Sequence, residues 1–390
     1  MTWRKRIGIY PWHSHNEVKW LLGGKDYFNH LCQCIDQAQK EIILQVYIFE
    51  ADQTGLLIIE HLKQAAARGV KIKIWADAYG SSALLNKKEK LFQHTDIEIN
   101  FFSPLRFFTK REIGIRLHHK IILFDERIAL VSGINISNHY SGFSHEKAWL
   151  DFGIQIEGEA VKDLLKICDE TAKLNPKKRL LGVGSTIGNI KLRVLQNNWP
   201  KLRFGISKQY RVAIRECKEE LIIMNSYFIP SLALKRLLKK AAKRGVKVHL
   251  ILGGLSDVNL VKNATHYFYA DLLKAGISIY EYYGSILHAK IAFADEHWMC
   301  VGSYNLNYLS DFGSLECNVE IKDAAFQKTT VQQIKEICKK DCKEITLSNF
   351  ELKSNWLTRF RNYLSYVALR FSLRILFLFQ KRNKLLQEKE

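Results

Sequence analysis

Two histidines define the chemistry open to this chain. The segment His118-His119-Lys120-Ile121-Ile122-Leu123-Phe124-Asp125 returns 170 residues later as His288-Ala289-Lys290-Ile291-Ala292-Phe293-Ala294-Asp295, two copies of one His-x-Lys-x4-Asp signature. An imidazole serves near neutral pH as nucleophile or as proton carrier with little tuning, and a lysine two residues away adds fixed positive charge. Two such pairs suit displacement at an anionic phosphorus, one ring attacking and the other moving the proton. Each copy is followed at the same distance by a small polar turn, Ser132-Gly133-Ile134-Asn135 and Gly302-Ser303-Tyr304-Asn305. From these turns Asn135, Asn305 and Ser303 are candidates, with Lys120 and Lys290, to steady charge on the phosphoryl oxygens. Cationic and amide donors do this without a metal, and no cofactor is called for.

The surrounding pattern supplies elements to position these groups. Ile121 to Phe124 and Ile128 to Val131 read as two buried strands with a turn between them at Asp125-Glu126-Arg127. Residues 132 to 135 therefore return beside 118 to 120. Strand side chains alternate, so His118 and Lys120 project together while His119 points the other way, and His288 and Lys290 do likewise around Ala289. Asp125 and Asp295 complete the signatures, but their places at the turns, away from the histidine end, favour a structural role. Upstream, Glu41 to Tyr47 parallels Leu221 to Tyr227, and Ala66 to Ile72 parallels Ala242 to Val248. Each copy reads as strand, helix, strand, with Gly69 and Gly245 placed to end the helix in a left-handed cap. The duplication spans roughly 25 to 165 and 205 to 330, which predicts two similar α/β lobes.

These residues resemble the phospholipase D superfamily, and the wording around them is similar to bacterial cardiolipin synthases of the short form without N-terminal transmembrane helices. The segments that carry the likeness are Tyr47-Ile48-Phe49, Asp77-Ala78-Tyr79-Gly80-Ser81, Gly133-Ile134-Asn135-Ile136, Trp149-Leu150-Asp151 and Gly302-Ser303-Tyr304-Asn305-Leu306. Ser132 departs from the family pattern, which has glycine there, and its small size should be tolerated. The resemblance implies two lobes, each a mixed β-sheet flanked by helices, packed as a pseudo-two-fold intramolecular dimer. It implies a first lobe over 1–175, a second over 176–345 and a C-terminal segment over 346–390. It also implies transfer of a phosphatidyl group through a phosphohistidine, making cardiolipin from phosphatidylglycerol and a second phospholipid such as phosphatidylethanolamine, with His118 favoured as nucleophile and His288 as acid. The carboxylates that fix the ring tautomers fall, on this resemblance, at Asp151 for the first copy and Glu316 for the second.

Composition agrees with a large folded enzyme. The chain has 390 residues, 47% of them apolar, and only five prolines, enough for two cores and no long linkers. The eight cysteines lack a C-x2-C pair or a histidine to complete a metal site, and read as reduced, mostly buried thiols. Met1 to His13 has Arg4, Lys5 and Arg6 but no continuous apolar run, so neither a cleavable leader nor an N-terminal span is expected.

Membrane contact is expected at the other end. The net charge of +20 attracts any polyanion. Between Trp356 and Phe379 the chain is rich in bulky apolar residues and carries Arg359, Arg361, Arg370 and Arg374. A central arginine costs about 2.5–3.5 kcal/mol on insertion, so a helix lying in the headgroup plane is favoured over a span. Trp356, Arg359, Arg370 and Arg374 are the expected membrane contacts, on an anionic surface such as the cytoplasmic face of a bacterial inner membrane, with no nucleic acid partner. The rival readings are a phosphodiesterase or nuclease using the same signatures, and a non-catalytic scaffold, which the intact signatures disfavour. His139 and His145, in the loop after the first signature, read as solvated; Tyr47 and Tyr227, ending strands, could line the cleft.

Overall fold

Alternation of apolar residues in the repeated segments produces two sheets rather than one. The computed structural model describes residues 7–103, 114–143, 147–173, 187–353 and 355–387, with side chains as far as residue 372 apart from Lys353. In the first lobe the strands are β1 (Asn16–Leu22), β2 (Glu41–Val46), β3 (Lys71–Asp77), β4 (Ile97–Phe102), β6 (Lys120–Phe124), β7 (Ile128–Ser132) and β8 (Phe152–Gly158), hydrogen-bonded in the order β1-β8-β7-β6-β2-β3-β4. β2, β3 and β4 run parallel, as short helical crossovers require, and the rest of the sheet is antiparallel.

The second lobe repeats the plan with β9 (Lys191–Asn198), β10 (Arg203–Phe204), β11 (Glu220–Asn225), β12 (Lys247–Gly253), β13 (Ser278–Tyr282), β14 (Lys290–Ala294), β15 (Trp298–Gly302), β16 (Ser314–Lys322) and β17 (Cys342–Ile345). The expected hairpins are present in both lobes: β6 pairs with β7 and β14 with β15. Gly69 and Gly245 take φ of 89° and 92°, left-handed values that end the helices Gln53–Ala67 and Leu232–Lys243.

The inner faces of the two sheets share one core. Ile121, Leu123 and Ile154 of the first lobe lie in the same buried cluster as Ile291, Phe293 and Val319 of the second. The outer face of each sheet is covered by its own helices, through Phe28, Leu31, Ile58 and Leu62 on one side and Ile206, Tyr210, Leu234 and Leu238 on the other.

A short strand crosses the seam. β5 (Arg116–Leu117), immediately before the first signature, belongs to the second sheet: it pairs in parallel with β16, Arg116 opposite Ser314 and Leu117 opposite Leu315. The mirror contact joins Leu150 to Leu287, immediately before the second signature. Arg116 and Asp77 form an ion pair at 3.4 Å, and the Leu117 amide donates to the same carboxylate at 2.9 Å, which fixes the crossing strand.

The C-terminal helix Trp356–Gln387 packs on the second lobe. Asn362, Ser365 and Tyr366 are buried, and Tyr366 stacks on Tyr267 with centroids 4.8 Å apart. Among the described residues no helix is long and apolar enough to cross a membrane.

Candidate active site

The seam brings the two signatures together. His118 donates its backbone amide to the Leu315 carbonyl at 3.0 Å, and His288 donates to the Leu150 carbonyl at 2.8 Å. Each histidine is thereby set beside the residue that follows its backbone partner across the seam, Glu316 after Leu315 and Asp151 after Leu150. His118 Nδ1 lies 2.9 Å from Glu316 Oε2, and His288 Nδ1 lies 2.7 Å from Asp151 Oδ2.

This corrects the expected assignment of Asp151 to the first copy and Glu316 to the second. The carboxylates serve the opposite lobes because β5 and residue 287 pair across the seam, not within their own sheets. A carboxylate oxygen only accepts, so each Nδ1 carries the hydrogen and each Nε2 is left as the reactive nitrogen.

Each lysine folds back on its own histidine. Lys120 Nζ donates to the His118 carbonyl at 2.6 Å and lies 5.5 Å from the Tyr47 ring centroid. Lys290 Nζ donates to the His288 carbonyl and lies 3.6 Å from Asp151. It also lies 2.7 Å from His288 Nδ1, but that nitrogen gives its hydrogen to Asp151. Burial pushes Lys120 down to about 7, with Lys290 adding to the fall, and pushes Lys290 down to about 8 against the pull of Asp151 and Glu316. Burial likewise lifts Asp151 to about 6 and depresses both histidines, with the two lysines adding to the fall at each; Glu316 offsets part of it at His118, so His288 is lowered further.

The rings are not equally accessible. The His118 side chain is 14% exposed and that of His288 4%. Among the described residues nothing is hydrogen-bonded to His118 Nε2, whereas His288 Nε2 meets the Tyr140 hydroxyl at 3.2 Å. Tyr47 lies 5.0 Å from the His118 ring and Tyr227 6.0 Å from the His288 ring, while Phe49 and Phe228 are core residues. His119 points away, as strand alternation requires, and bonds Gln45 at 2.7 Å in the buried interior.

The remaining expected residues divide. Ser303 Oγ donates to Glu316 and so steadies the acceptor of His118. Gly133 holds the equivalent place in the first copy, and a Cβ there would come within 2.4 Å of Asp151 Oδ2. Asn305 Oδ1 accepts from the Ser226 hydroxyl. Asn135 Oδ1 accepts from the Ile48 amide, and its Nδ2 donates to the Tyr140 hydroxyl that meets His288 Nε2.

Ser132 is accommodated, its hydroxyl accepting from the Ile134 amide and lying 3.3 Å from the Tyr27 hydroxyl. Asp125 and Asp295 do not belong to the reacting set. Asp125 accepts from the amides of Gln39, Lys40 and Glu41, and Asp295 from those of Lys218, Glu219 and Glu220. Both take left-handed backbone, φ 53° and 49°, at the far end of the strand that begins with the lysine.

On the terminal helix Trp356 is exposed, and Arg370 is packed among aromatic rings. Its guanidinium lies 5.5 Å from the Tyr366 ring and 6.0 Å from the Tyr308 ring, and Nη1 donates to the Tyr366 hydroxyl at 3.0 Å. The aromatic faces hold the half-buried guanidinium against the protein surface. The side chain of Arg374 and the whole of His145 lie outside what is described, and His139 stacks on Trp149 at 4.9 Å. All eight cysteines are free thiols.

The sequence profile described as "Cardiolipin synthase, PLD-like domain" matches this chain twice, over residues 31–164 and 210–341. The chain belongs to that family, within the phospholipase D superfamily. Cardiolipin synthase B of Salmonella typhi is 31% identical over 358 residues, covering 88% of this chain and 86% of that protein. Cardiolipin synthase 1 of Bacillus cereus is 28% identical, covering 90% of this chain and 72% of that protein. Among solved structures, phosphatidylserine synthase of Haemophilus influenzae superposes over 98% of both chains with a TM-score of 0.72 at 16% identity, a likeness of fold. The chain is thus a phosphatidyltransferase of the cardiolipin synthase type, and each of its halves is a PLD-like domain.

Proposed function

We propose that this phosphatidyltransferase makes cardiolipin from phosphatidylglycerol and a second phospholipid through a phosphohistidine on His118. The observation that carries the reading is the pair of imidazoles, each held at Nδ1 by a carboxylate from the opposite lobe. His118 Nε2 is the more open nitrogen and attacks the phosphodiester phosphorus. As the bond to the departing headgroup oxygen breaks, a proton from His288 Nε2 passes to that oxygen. The anionic phosphate favours the imidazolium of His288 on arrival, offsetting the burial that keeps it neutral in the empty site.

The second half reverses the first. His288 takes the proton of an incoming glycerol hydroxyl, whose oxygen attacks phosphorus and releases His118. Lys120, Lys290 and Asn305 face the growing charge on the phosphoryl oxygens with donors already in place. Water in place of the alcohol gives hydrolysis.

Membrane contact is assigned to the outward face of the terminal helix, on a reading in which 1–175 and 176–345 are the catalytic lobes and 346–390 the membrane-facing segment. Trp356, Phe360, Leu364, Val367 and Phe371 are exposed and recur at spacings of three and four, an apolar stripe opposite the buried Asn362 and Tyr366. With the basic charge of the chain this suits peripheral binding to the cytoplasmic face of a bacterial inner membrane.

The test is to incubate the purified protein with phosphatidylglycerol vesicles, with and without phosphatidylethanolamine, and to separate the lipids. Cardiolipin is the expected product. Absence of cardiolipin from both mixtures, together with cleavage of single-stranded DNA, would replace this reading with a nuclease.

A further inference from the structure

We propose that Tyr140 is a positioning residue for His288, fixing the imidazole with its hydrogen on Nδ1 and opposing protonation of Nε2 until substrate arrives. The inference rests on the reading of His288 as the proton carrier. It follows from a chain of hydrogen bonds whose direction is set at both ends. The Ile48 amide can only donate, so the atom 3.1 Å away is Asn135 Oδ1 and the amide nitrogen of Asn135 faces Tyr140. Asn135 Nδ2 donates to the Tyr140 oxygen at 2.9 Å. The phenol hydrogen is then free to go to His288 Nε2, 3.2 Å away. At the other end Asp151 Oδ2 can only accept, and takes the hydrogen of Nδ1. Every link of this chain agrees on one tautomer, and Lys290, whose Nζ lies 2.7 Å from Nδ1, directs its hydrogen to the His288 carbonyl.

The geometry leaves the hydroxyl few alternatives. Tyr140 is buried, and its ring packs at 5.2 Å on Trp149 and at 5.0 Å, edge to face, on His288. Protonation of Nε2 would turn that nitrogen into a donor, and the phenol hydrogen would lose its acceptor in a buried place, which is costly.

The device is one-sided. The 170-residue offset puts Ser310 at the place of Tyr140 in the second copy, and its hydroxyl accepts from the Asn305 amide without reaching His118. One histidine is therefore open and the other restrained, which distinguishes their roles in a site built from a repeat.

Tyr140→Phe keeps the ring and removes only the donor. In the full-length protein, nitrogen-15 NMR of the imidazoles reports tautomer and titration without substrate, the His288 signal being identified by its loss in His288→Gln. The titration of His288 should rise by about half to one pH unit, the worth of one net hydrogen bond. The alkaline limb of kcat for phosphatidylglycerol turnover should move up with it, since the acid must be protonated, while KM stays nearly constant. Placing a fluorinated tyrosine at 140, a stronger donor of nearly the same volume, should move the His288 titration down; this second replacement decides the matter where Tyr140→Phe does not fold. An unchanged His288 titration in the folded protein overturns the inference. Absence of phospholipid turnover by the unaltered enzyme overturns the functional reading instead, and leaves the NMR result to decide Tyr140.

Discussion

The crossed carboxylates make a prediction in which the magnitude decides. If Asp151 holds His288 and Glu316 holds His118, the energy coupling belongs to those pairs and to no others. Both contacts have hydrogen-bond length, 2.7 and 2.9 Å, and both carboxylates are 1% exposed or less, so solvent screens them little. A hydrogen bond to a charged group contributes about 1.5–3 kcal/mol, whereas residues without contact add to within about 0.5 kcal/mol. We therefore expect a coupling of about 2 kcal/mol for His288→Gln with Asp151→Asn, and for His118→Gln with Glu316→Gln. The uncrossed combinations, His118 with Asp151 and His288 with Glu316, should couple by less than about 0.5 kcal/mol. Urea unfolding followed by tryptophan fluorescence measures all four cycles, with the midpoint carrying the change while the slope stays fixed. Uncrossed couplings as large as the crossed ones would refute the exchange of carboxylates across the seam.

Other outcomes follow from the same geometry. Lys290 is pushed down from 10.5 to about 8 by burial, so the folded chain holds its proton less tightly than the unfolded one. That penalty grows as pH falls from above 10.5 to below 8 and amounts to about 3 kcal/mol; Lys290→Met should gain on the unaltered protein by that much between pH 10 and 7, while turnover is lost. A gap in urea midpoint that does not change with pH argues against it. Gly133→Ala should lower lipid turnover at least about tenfold in a folded protein, because its Cβ would come within 2.4 Å of Asp151 Oδ2 and displace the carboxylate from His288; full activity would contradict the positioning of Asp151. Asp125→Ala removes the acceptor of three backbone amides and should cost about 1–2 kcal/mol of stability with kcat retained. Phe360→Asp combined with Phe371→Asp should weaken binding to anionic vesicles at least about 100-fold in a sedimentation assay, leaving hydrolysis of a soluble diester unchanged.

The parts of the site visible in the sequence are those set by local geometry. Strand alternation places His118 with Lys120 and turns His119 inward, and the hairpin returns Gly133 to the histidine end; residues within one hairpin settle both. The crossing of Asp151 and Glu316 depends on pairs such as Leu117 with Leu315, 198 residues apart, and a repeat makes each copy look self-sufficient. Tyr140 escaped notice for the opposite reason: it has no counterpart in the second copy, so comparison of the repeats passes over it. The packing of Arg370 on Tyr308 and Tyr366 is not legible from its charge, because one ring belongs to a distant helix and the other to its own preceding turn. On the terminal helix one stripe packs on the second lobe while the other remains exposed.

The strand that crosses the seam also makes the paired histidines a property of the whole chain. A growing chain that has emerged only as far as the first signature holds His118 without Glu316, which arrives almost two hundred residues later. Neither half alone therefore pairs its signature histidine with a carboxylate, and both pairs exist only where the two lobes meet.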